Sequence, residues 1–578
     1  MCGILGKVSN SKIDKSNFNN DLSLLSHRGP DSHGTFFYDN IALGHTRLSI
    51  IDLSQCGHQP MEDQNDKYVI IYNGEIYNFK SIRDELISKG YSFKSKSDTE
   101  VILNGYIEFK EKIVNKLEGM FSLCILNKRN REVFLARDRM GIKPLYYYND
   151  GKSFTFSSEI RPLKKYSSGL NAEAKILFLA LGSVPEPVTI YNNIYSFPKG
   201  HFGFFKNGNL KISKYAQEKY LPKIKSNYQN IVFNTKNYLH KSIKNHLISD
   251  APIGTFLSGG LDSSAITCIA AQYKKDLVTL SLDFNERNLS EKYYQDLIVK
   301  KYNTSHNRII IDEKKFIDNI QNFISSMDQP TVDGLNSYFV SLAASESGLK
   351  AVLSGVGGDE IFYGYSTFRN AKKIEMLKYI PNYIIKILAR RKRLKKLEYM
   401  EIKKDIFKYL SLRTVFTPSE IAQNLNCDLE YVKSIIVKNI NEYKVNQLSL
   451  DDKTSLFELD MYMKNQLLRD TDVFGMAHSL EIRVPFLDKE LVEYVLRIDP
   501  QLKFKNNINK SLLADSVKDL VPSEIIKRKK MGFELPFKYW FKNNINQFNI
   551  DKKIKDDFLN DKIHWSKVWA LFISNNFK

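Results

Sequence analysis

Residues 256–264 have the sequence FLSGGLDSS, in which an apolar strand pattern ends at two glycines and a helical pattern begins. The strand pattern is "APIGTFL" (251–257), and the helix continues as "LDSSAITCIAAQYKK" (261–275). Gly259 and Gly260 let the backbone approach a ligand closely, and a helix N-terminus offers N–H groups with a partial positive charge. The stretch predicts a cradle for an anion such as phosphate. Taken alone, however, an ordinary glycine turn with an N-cap serine explains it better.

The loop is not a Walker phosphate loop, because the GxxxxGK[ST] spacing and its lysine are missing. Ser258, Ser263 and Ser264 offer hydroxyl groups beside the glycines. Asp262 would repel a bare phosphate group. Its presence makes sense if a divalent cation lies between its carboxylate and the phosphates.

The surrounding chain alternates strand patterns with helical patterns. We expect strands at 277–284, 307–312 and 350–355, and helices at 291–301, 316–327 and 336–347. This alternation predicts an α/β parallel sheet covered on both faces. A second turn, "LSGVGGDEIFYGY" (353–365), also follows a strand. Because ligands bind at the carboxyl ends of parallel strands, we expect Asp262 and Asp359 to hold one Mg²⁺ ion from two sides.

The first part of the chain has a different pattern. Residues 1–195 are rich in strand patterns, with helical patterns near 18–26 and 98–117. Antiparallel sheets with helices packed outside, an α+β arrangement, fit this best. Residues after about 365 are mostly helical. We predict a first domain over 1–200, a linker over 201–229 and a second domain over 230–578.

The composition is typical of a globular protein with more than one domain. The chain has 578 residues, too many for one hydrophobic core. It shows no apolar run near the ~20 residues of a membrane helix and no signal-peptide pattern, so we expect a cytoplasmic protein without a membrane partner. The five cysteines are scattered, which argues against a disulfide framework and against a thiolate zinc site.

The net charge of +20 is spread along the whole chain. Its densest basic run is ARRKRLKK (389–396), which lies among apolar residues at helical spacing. A solvated helix face is favoured here over a patch for RNA or lipid. We therefore expect no nucleic-acid partner, and the role of the basic segment 386–404 stays open.

Motifs along almost the whole chain resemble those of the asparagine synthetase family. The second half contains SGGLDSS (258–264), SGVGGDE (354–360), LLRDTDVFGMAHSLEIRVPFLD (467–488) and RKKMGF (528–533). The first half contains MCGI (1–4), LSHRGPDSHG (25–34), GHTRLSIIDLS (44–54), YNGEIYN (72–78), SDTE (97–100) and ARDRMGIKPLYY (136–147). The resemblance implies an N-terminal glutamine amidotransferase domain, with the antiparallel β-sandwich of the N-terminal nucleophile hydrolases. It also implies a C-terminal synthetase domain of the ATP pyrophosphatase type.

The resemblance assigns glutamine hydrolysis to the first domain. This acyl transfer needs a nucleophile, a base and stabilisation of an oxyanion. On position alone Cys2 would be a small apolar residue, but the resemblance makes it the nucleophile. Its own α-amine, of pKa ~7.7–8.0, would be the base once Met1 is removed. Asn73 and Gly74 would form the oxyanion hole. The implied glutamine pocket consists of Arg47 for the α-carboxylate, Asp98 for the α-ammonium group, and Leu48, Ser49, Ile50, Ile51 and Glu75.

The second domain would consume ATP. The family reaction forms β-aspartyl-AMP and pyrophosphate, and ammonia delivered through an interior tunnel then gives asparagine and AMP. The implied substrates are glutamine, ATP and aspartate, the implied metal is Mg²⁺ on Asp262 and Asp359, and a homodimer is a family expectation. The residues implied for ATP are Leu257, Ser258, Gly259, Gly260, Asp262, Ser263, Leu282, Ser354, Gly355 and Lys530.

One position departs from the family pattern. Many asparagine synthetases have an acidic residue between the glycines after the Ser-Gly turn, where this chain has Val356. Some relatives with this turn are thought to amidate other carboxylates, such as sugar uronic acids of surface polysaccharides. Asparagine synthesis stays the first hypothesis and a uronic acid the second. A third, non-catalytic binding of RNA or anionic lipid by residues 386–404, is opposed by the intact motifs.

Overall fold

The computed structural model describes residues 2–286, 289–440, 443, 445–505, 509–528 and 536–577. Its strands form three sheets. In chain order the strands are β1 Cys2–Ser9, β2 Ser32–Tyr38, β3 Ile41–Arg47, β4 Met61–Glu62, β5 Tyr68–Ile76, β6 Gly119–Asn127, β7 Glu132–Arg137, β8 Tyr146–Asn149, β9 Ser153–Ser157, β10 Ile194–Ser196, β11 His201–Lys206, β12 Asn209–Lys214, β13 Ile253–Phe256, β14 Val278–Phe284, β15 Ser305–Ile311, β16 Ala351–Leu353 and β17 Glu481–Arg483.

The α-helices connect and cover these sheets. Those before the third sheet are α1 Lys15–Ser23, α2 Phe79–Ser88, α3 Asp98–Phe109, α4 Ile113–Lys116, α5 Ala172–Leu181 and α6 Tyr228–His246. Those that follow are α7 Leu261–Tyr273, α8 Lys292–Tyr302, α9 Glu313–Ser326, α10 Leu335–Glu346, α11 Gly358–Ile361, α12 Ser366–Met376, α13 Asn382–Ala389, α14 Asp405–Arg413, α15 Pro418–Leu425, α16 Leu429–Asn439, α17 Leu450–Phe457, α18 Arg469–Met476, α19 Lys489–Leu496, α20 Pro500–Lys503, α21 Ser511–Val517, α22 Ser523–Lys527, α23 Phe537–Asn543, α24 Lys552–Leu559 and α25 Trp565–Asn576.

The first two sheets are antiparallel and pack face to face. Their strand orders are β10-β8-β9-β1-β3-β2 and β12-β11-β7-β6-β5-β4. Apolar side chains from both sheets, such as Ile4, Leu43, Ile71 and Leu126, fill the space between them. Helix α1 covers the outer face of the first sheet, and α2 and α3 cover that of the second. This sandwich confirms the antiparallel α+β arrangement predicted for the first domain.

The third sheet is parallel, with the strand order β15-β14-β13-β16-β17. Strands β13 and β16 are neighbours, and each runs into one of the two glycine turns, so both turns lie at the same edge of the sheet. The predicted alternation is confirmed, because α8, α9 and α10 lie within a few residues of the expected helices. The edge strand β17 comes from residues 481–483, far along the chain from its neighbour β16.

Residues 201–214 differ from the expectation of a linker. They form β11 and β12, which extend the second antiparallel sheet from β7. The second half of the sequence HFGFFKNGNLKISK gives little indication of a strand. It forms β12, an exposed edge strand that contains several lysines and few apolar residues. Within the described residues, no helix is both long and apolar enough to cross a membrane.

Candidate active sites

Cys2 lies at the start of β1, directly opposite Arg47 at the end of β3. Its backbone nitrogen donates a 3.0 Å hydrogen bond to Oδ1 of Asn73 on β5, so residues from both antiparallel sheets meet at the cysteine. The side chain of Cys2 is buried, and burial raises the pKa of its thiol. A thiol in this position needs a nearby base before it can act as a nucleophile.

Asn73 and Gly74 occupy consecutive positions on β5, beside the cysteine. The Nδ2 group of Asn73 is buried and has no hydrogen-bond partner among the described residues. A buried donor without a partner is costly and indicates a group kept for a ligand. Gly74 fits where a larger residue does not, because a Cβ there would lie 2.1 Å from the carbonyl oxygen of Met120. This pair can therefore present donors to an oxyanion formed at Cys2.

The segment after β3 forms a bend around the Arg47 side chain. The guanidinium group of Arg47 donates hydrogen bonds to the carbonyl oxygen of Ser54, at 2.9 Å, and to that of Asp52. These bonds fix the arginine near Cys2 rather than in solvent. The implied pocket residues Leu48, Ser49, Ile50 and Ile51 follow directly, and Leu48 and Ile50 are buried.

Asp98 is the first residue of α3, where the Ser97 side chain caps the helix. Its Oδ2 atom accepts hydrogen bonds from the Tyr72 hydroxyl, at 2.9 Å, and from the backbone N–H of Ile76, at 3.1 Å. Burial raises the pKa of this carboxyl to about 6, although these two bonds oppose the shift. A cationic group of a ligand would offset that burial, which suits the ammonium role expected of Asp98.

Glu75 points from β5 toward the second domain. Its Oε2 lies 2.9 Å from Nη2 of Arg483 on β17, and Nε of the same arginine lies 2.6 Å from Oε1 of Glu481. All three side chains are buried. Burial raises the pKa of Glu75 well above its usual value, and the Arg483 charge opposes that rise. Oε2 of Glu75 thus contacts the domain interface, a contact that the family pattern did not predict.

Arg28 is a second interface residue that received no role from the sequence. Its fully buried guanidinium lies 2.9 Å from Glu159 Oε1 and 2.8 Å from Asp472 Oδ2, and its Nε donates to the carbonyl oxygen of Cys2 at 3.2 Å. It therefore joins β1, the strand of Cys2, to α18 of the second domain. The only available signal was that Arg28 and Asp472 both lie within the quoted motifs.

The first glycine turn is closed by its own serines. Ser263 Oγ accepts from the backbone N–H of Ser258 at 3.1 Å and lies 2.9 Å from Ser258 Oγ. Gly259 has φ +73°, a left-handed conformation that favours glycine. Gly260 is the N-cap of α7, so the turn faces the N-terminus of that helix. The turn thus has the left-handed glycine and the helix N-terminus that the predicted anion cradle requires.

Asp262 and Asp359 converge on one cation, the ammonium group of Lys510. Lys510 Nζ lies 2.6 Å from Asp359 Oδ1 and also pairs with Asp262 Oδ2. Burial alone would lower the pKa of Lys510, but the two aspartates outweigh it and raise that pKa. Space here is tight, because a Cβ at Gly358 would lie 2.9 Å from Asp262 Cγ. The two carboxylates come from two neighbouring turns and share one cation. Carboxylate oxygens placed in this way are suitable ligands for a divalent metal.

The remaining residues implied for ATP lie around the two turns. Leu257 and Leu282 are buried under the first turn, where the carbonyl of Leu257 accepts from the Ser281 hydroxyl. In the second turn, the backbone N–H of Ser354 donates to the carbonyl of Arg483 at 2.8 Å, and Gly355 lies against Asp262. Lys530 lies outside the described residues.

Together the two domains define a class of enzyme in which a glutamine amidotransferase feeds an ATP-dependent ligase. Two family models match the chain in this order, the Glutamine amidotransferase domain over residues 1–216 and Asparagine synthase over residues 234–564. The chain belongs to the glutamine-hydrolysing asparagine synthetase family. It is a glutamine-dependent, ATP-consuming ligase, as the sequence predicted.

Relatives match over nearly the full chain. Asparagine synthetase [glutamine-hydrolyzing] 1 of Bacillus subtilis is 30% identical, with 95% of this chain and 89% of that protein covered. Asparagine synthetase [glutamine-hydrolyzing] 3 of the same organism is 31% identical, with coverages of 92% and 87%. A protein with a different name, amidase chry2 of Gibberella zeae, is 25% identical, with coverages of 90% and 85%.

Proposed function

We propose that this enzyme makes asparagine from aspartate, with glutamine as the nitrogen donor and ATP converted to AMP and pyrophosphate. One observation carries the proposal: nearly the whole chain is similar to two proteins named glutamine-hydrolysing asparagine synthetases. Both candidate sites lie within the residues that the two family models match.

In the first half-reaction, the Cys2 thiol attacks the side-chain amide carbon of glutamine. With Met1 removed, the nitrogen that now bonds to Asn73 becomes an α-amine of pKa ~7.7–8.0, which takes the thiol proton and passes it to the leaving nitrogen. The carbon–nitrogen bond breaks, a carbon–sulfur bond forms, and ammonia departs. Water then hydrolyses the thioester to glutamate. Asn73 Nδ2 and the Gly74 N–H stabilise the oxyanion in both steps.

The glutamine backbone groups are held by opposite charges. Arg47 attracts the α-carboxylate, and Asp98 attracts the α-ammonium group. The two side chains are fixed before glutamine arrives, because Arg47 is bonded to the carbonyls of the following bend and Asp98 to β5. The backbone from Leu48 to Ile51 completes the pocket, with Glu75 as its border toward the second domain.

In the second half-reaction, the two glycine turns hold ATP. The Ser258–Ser263 turn and the α7 N-terminus receive the pyrophosphate, while Ser354 and Gly355 border the nucleotide from the neighbouring strand. Asp262 and Asp359 hold Mg²⁺, which neutralises phosphate charge when bound. Lys530 is assigned to the same phosphates. The acceptor carboxylate attacks the α-phosphorus, pyrophosphate leaves, and ammonia then displaces AMP from the acyl adenylate.

Ammonia passes between the two sites inside the protein. A small cavity lies between the domains, with both apolar walls (Met140, Ile142 and Leu487) and polar walls (Asn115, Arg139 and Lys489), and its lining includes none of the residues assigned to either site. A closed route matters because ammonia that meets water becomes ammonium, which is not a nucleophile.

A second acceptor is supported by one residue. Val356 stands in the second turn, half-buried against an apolar core, where it can neither bind nor orient an amine. An enzyme with this turn that amidates a sugar uronic acid would use the same ammonia and the same adenylate chemistry. Only the groups that recognise the acceptor would differ.

An acceptor screen separates the two. The enzyme is supplied with glutamine labelled with ¹⁵N in the side-chain amide, ATP, Mg²⁺ and one acid at a time, and AMP and the labelled amide are measured together. We expect aspartate to give labelled asparagine and AMP in equal amounts. Glutamate release with AMP formed only from a uronic acid would favour the second candidate, and ADP in place of AMP would contradict the adenylate chemistry of both.

A further inference from the structure

The segment from α12 to the end of α13 exposes an unusual number of large apolar side chains. Met376, Tyr379, Tyr383 and Ile387 are 64%, 80%, 66% and 56% exposed. No other stretch of similar length in the described part of the chain exposes so many large apolar side chains. Such clusters on a protein surface mark a contact with something else. We call these four residues the apolar patch.

The fold presents the patch outward. On α13, Ile385 and Ala389 are buried in a small core with Leu397, and Tyr383 and Ile387 lie on the opposite, exposed side at a spacing of four residues. Met376 ends α12, and Tyr379 lies in the short connection before α13. The patch is therefore the outer side of a packed helical corner, not a loosely placed tail.

The same segment is strongly basic. Residues 376–397, MLKYIPNYIIKILARRKRLKKL, contain eight Lys and Arg residues and no Asp or Glu. Lys386, Arg390 and Arg391 are exposed, and none of them forms an ion pair with a carboxylate among the described residues. Exposed apolar side chains flanked by unpaired cations are typical of a surface that lies on an anionic bilayer.

Contrary to the expectation from sequence of no membrane partner, we propose that the apolar patch and its flanking cations dock the enzyme on the surface of an anionic phospholipid membrane. The tyrosines suit the headgroup region, since they are apolar with one polar end, and Met376 and Ile387 reach the acyl boundary. RNA is a less suitable partner for this surface, because Met376 and Ile387 have no ring that could stack on bases. A symmetric dimer through the patch also fits less well, because it would place the basic segment against its own copy.

Vesicle sedimentation tests the proposal with the full-length enzyme. The vesicles contain equal parts phosphatidylglycerol and phosphatidylcholine, or phosphatidylcholine alone. The apolar variant is Tyr379→Ser/Tyr383→Ser/Ile387→Ser, and the charge variant is Lys386→Gln/Arg390→Gln/Arg391→Gln. The matched control, Phe233→Ser/Tyr293→Ser/Tyr539→Ser, removes apolar side chains of similar exposure elsewhere. An unchanged melting temperature and an unchanged circular dichroism spectrum of each variant confirm that the second domain, which carries all the substitutions, is folded.

We expect the enzyme and the matched control to sediment with the anionic vesicles and not with the neutral ones. The apolar variant and the charge variant should each bind at least about tenfold more weakly than the parent enzyme. Added salt should weaken the binding of every protein to the anionic vesicles. Three results would overturn the proposal. In the first, the enzyme does not bind anionic vesicles. In the second, the apolar variant binds the vesicles fully and the enzyme binds a single-stranded RNA tightly. In the third, light scattering shows that the enzyme is a dimer and that the apolar variant is not.

Discussion

Glu75 and Arg483 form an ion pair across the domain interface, with Oε2 and Nη2 2.9 Å apart although 408 residues separate them in the chain. Glu75 follows Asn73 and Gly74, the residues proposed for the oxyanion hole, on β5. The carbonyl of Arg483 accepts the backbone N–H of Ser354, the first residue of the second glycine turn. A single arginine therefore contacts elements of both candidate sites.

Replacement of this arginine should be costly. Arg483→Met leaves Glu75 and Glu481 buried without their guanidinium, and loss of one partner of a buried pair costs about 3–5 kcal/mol. The free energy of unfolding in urea measures this loss. Arg131→Met is the matched control, because its pair with Asp39 is exposed on both sides and should contribute about 0–1 kcal/mol. Equal losses in the two variants would contradict a supporting role for the interface pair.

Cys2→Ala should abolish glutamine hydrolysis while ammonia-dependent synthesis continues. Without the thiol no thioester forms, so glutamate release should fall by a factor of about 10³ or more. AMP formation with ammonium chloride and the acceptor should change less than about twofold. Cys56→Ala, which alters an exposed cysteine, should leave both rates unchanged. Glutamate release that survives in Cys2→Ala would remove Cys2 from the mechanism.

The affinity for glutamine should weaken in acid. Because burial raises the pKa of Asp98 to about 6, its carboxylate is charged above that pH and becomes neutral below it. The KM for glutamine should therefore rise by about tenfold for each pH unit below 6, since a neutral carboxyl no longer attracts the α-ammonium group. Initial glutaminase rates from pH 5 to 8 measure this dependence.

Asp98→Asn supplies the baseline for that experiment. Its KM should already be high at pH 8 and should stay flat down to pH 5, because no charge is left to titrate at this position. A rise of KM in acid that is the same in both proteins would assign the effect to another group.

Lys510 should compete with metal for the two aspartates. In Lys510→Met, Asp262 and Asp359 repel each other, so the metal-free protein should melt at a lower temperature than the parent. Without nucleotide, millimolar Mg²⁺ should raise the melting temperature of the variant more than that of the parent, because binding to the folded state adds stability. Lys438→Met, in an exposed pair with Glu173, is the control. Equal Mg²⁺ shifts in parent and variant would show that Lys510 does not occupy the metal position.

The glycine turns could be predicted from sequence because they are local. FLSGGLDSS and LSGVGGDE each carry the strand end, the turn and the helix start within nine residues, and the parallel alternation around them places both at one sheet edge. The Cys2–Asn73 contact was available only through the resemblance, since it joins two sheets over a separation of 71 residues.

The interface contacts of Glu75 and Arg28 and the position of Lys510 could not be predicted in this way. Lys510 is one of 85 Lys and Arg residues, and nothing near it in sequence distinguishes it. Its partners lie about 250 and 150 residues earlier, and packing of α21 against α6 and α20 brings them together. Strand β12 was missed because an edge strand exposed to water lacks the apolar alternation that identifies buried strands.

Strand β17 has a consequence for the way the chain is made. The parallel sheet receives its edge strand from residues 481–483, after a mostly helical segment of more than a hundred residues has followed β16. A ribosome releases the antiparallel sandwich long before those residues emerge, so this domain can fold early. The third, parallel sheet meanwhile lacks β17, so one edge of β16 stays uncovered. Pairing of strands over such a separation in sequence is slow. Nascent chains stalled before residue 481 should therefore be the ones that chaperones hold longest.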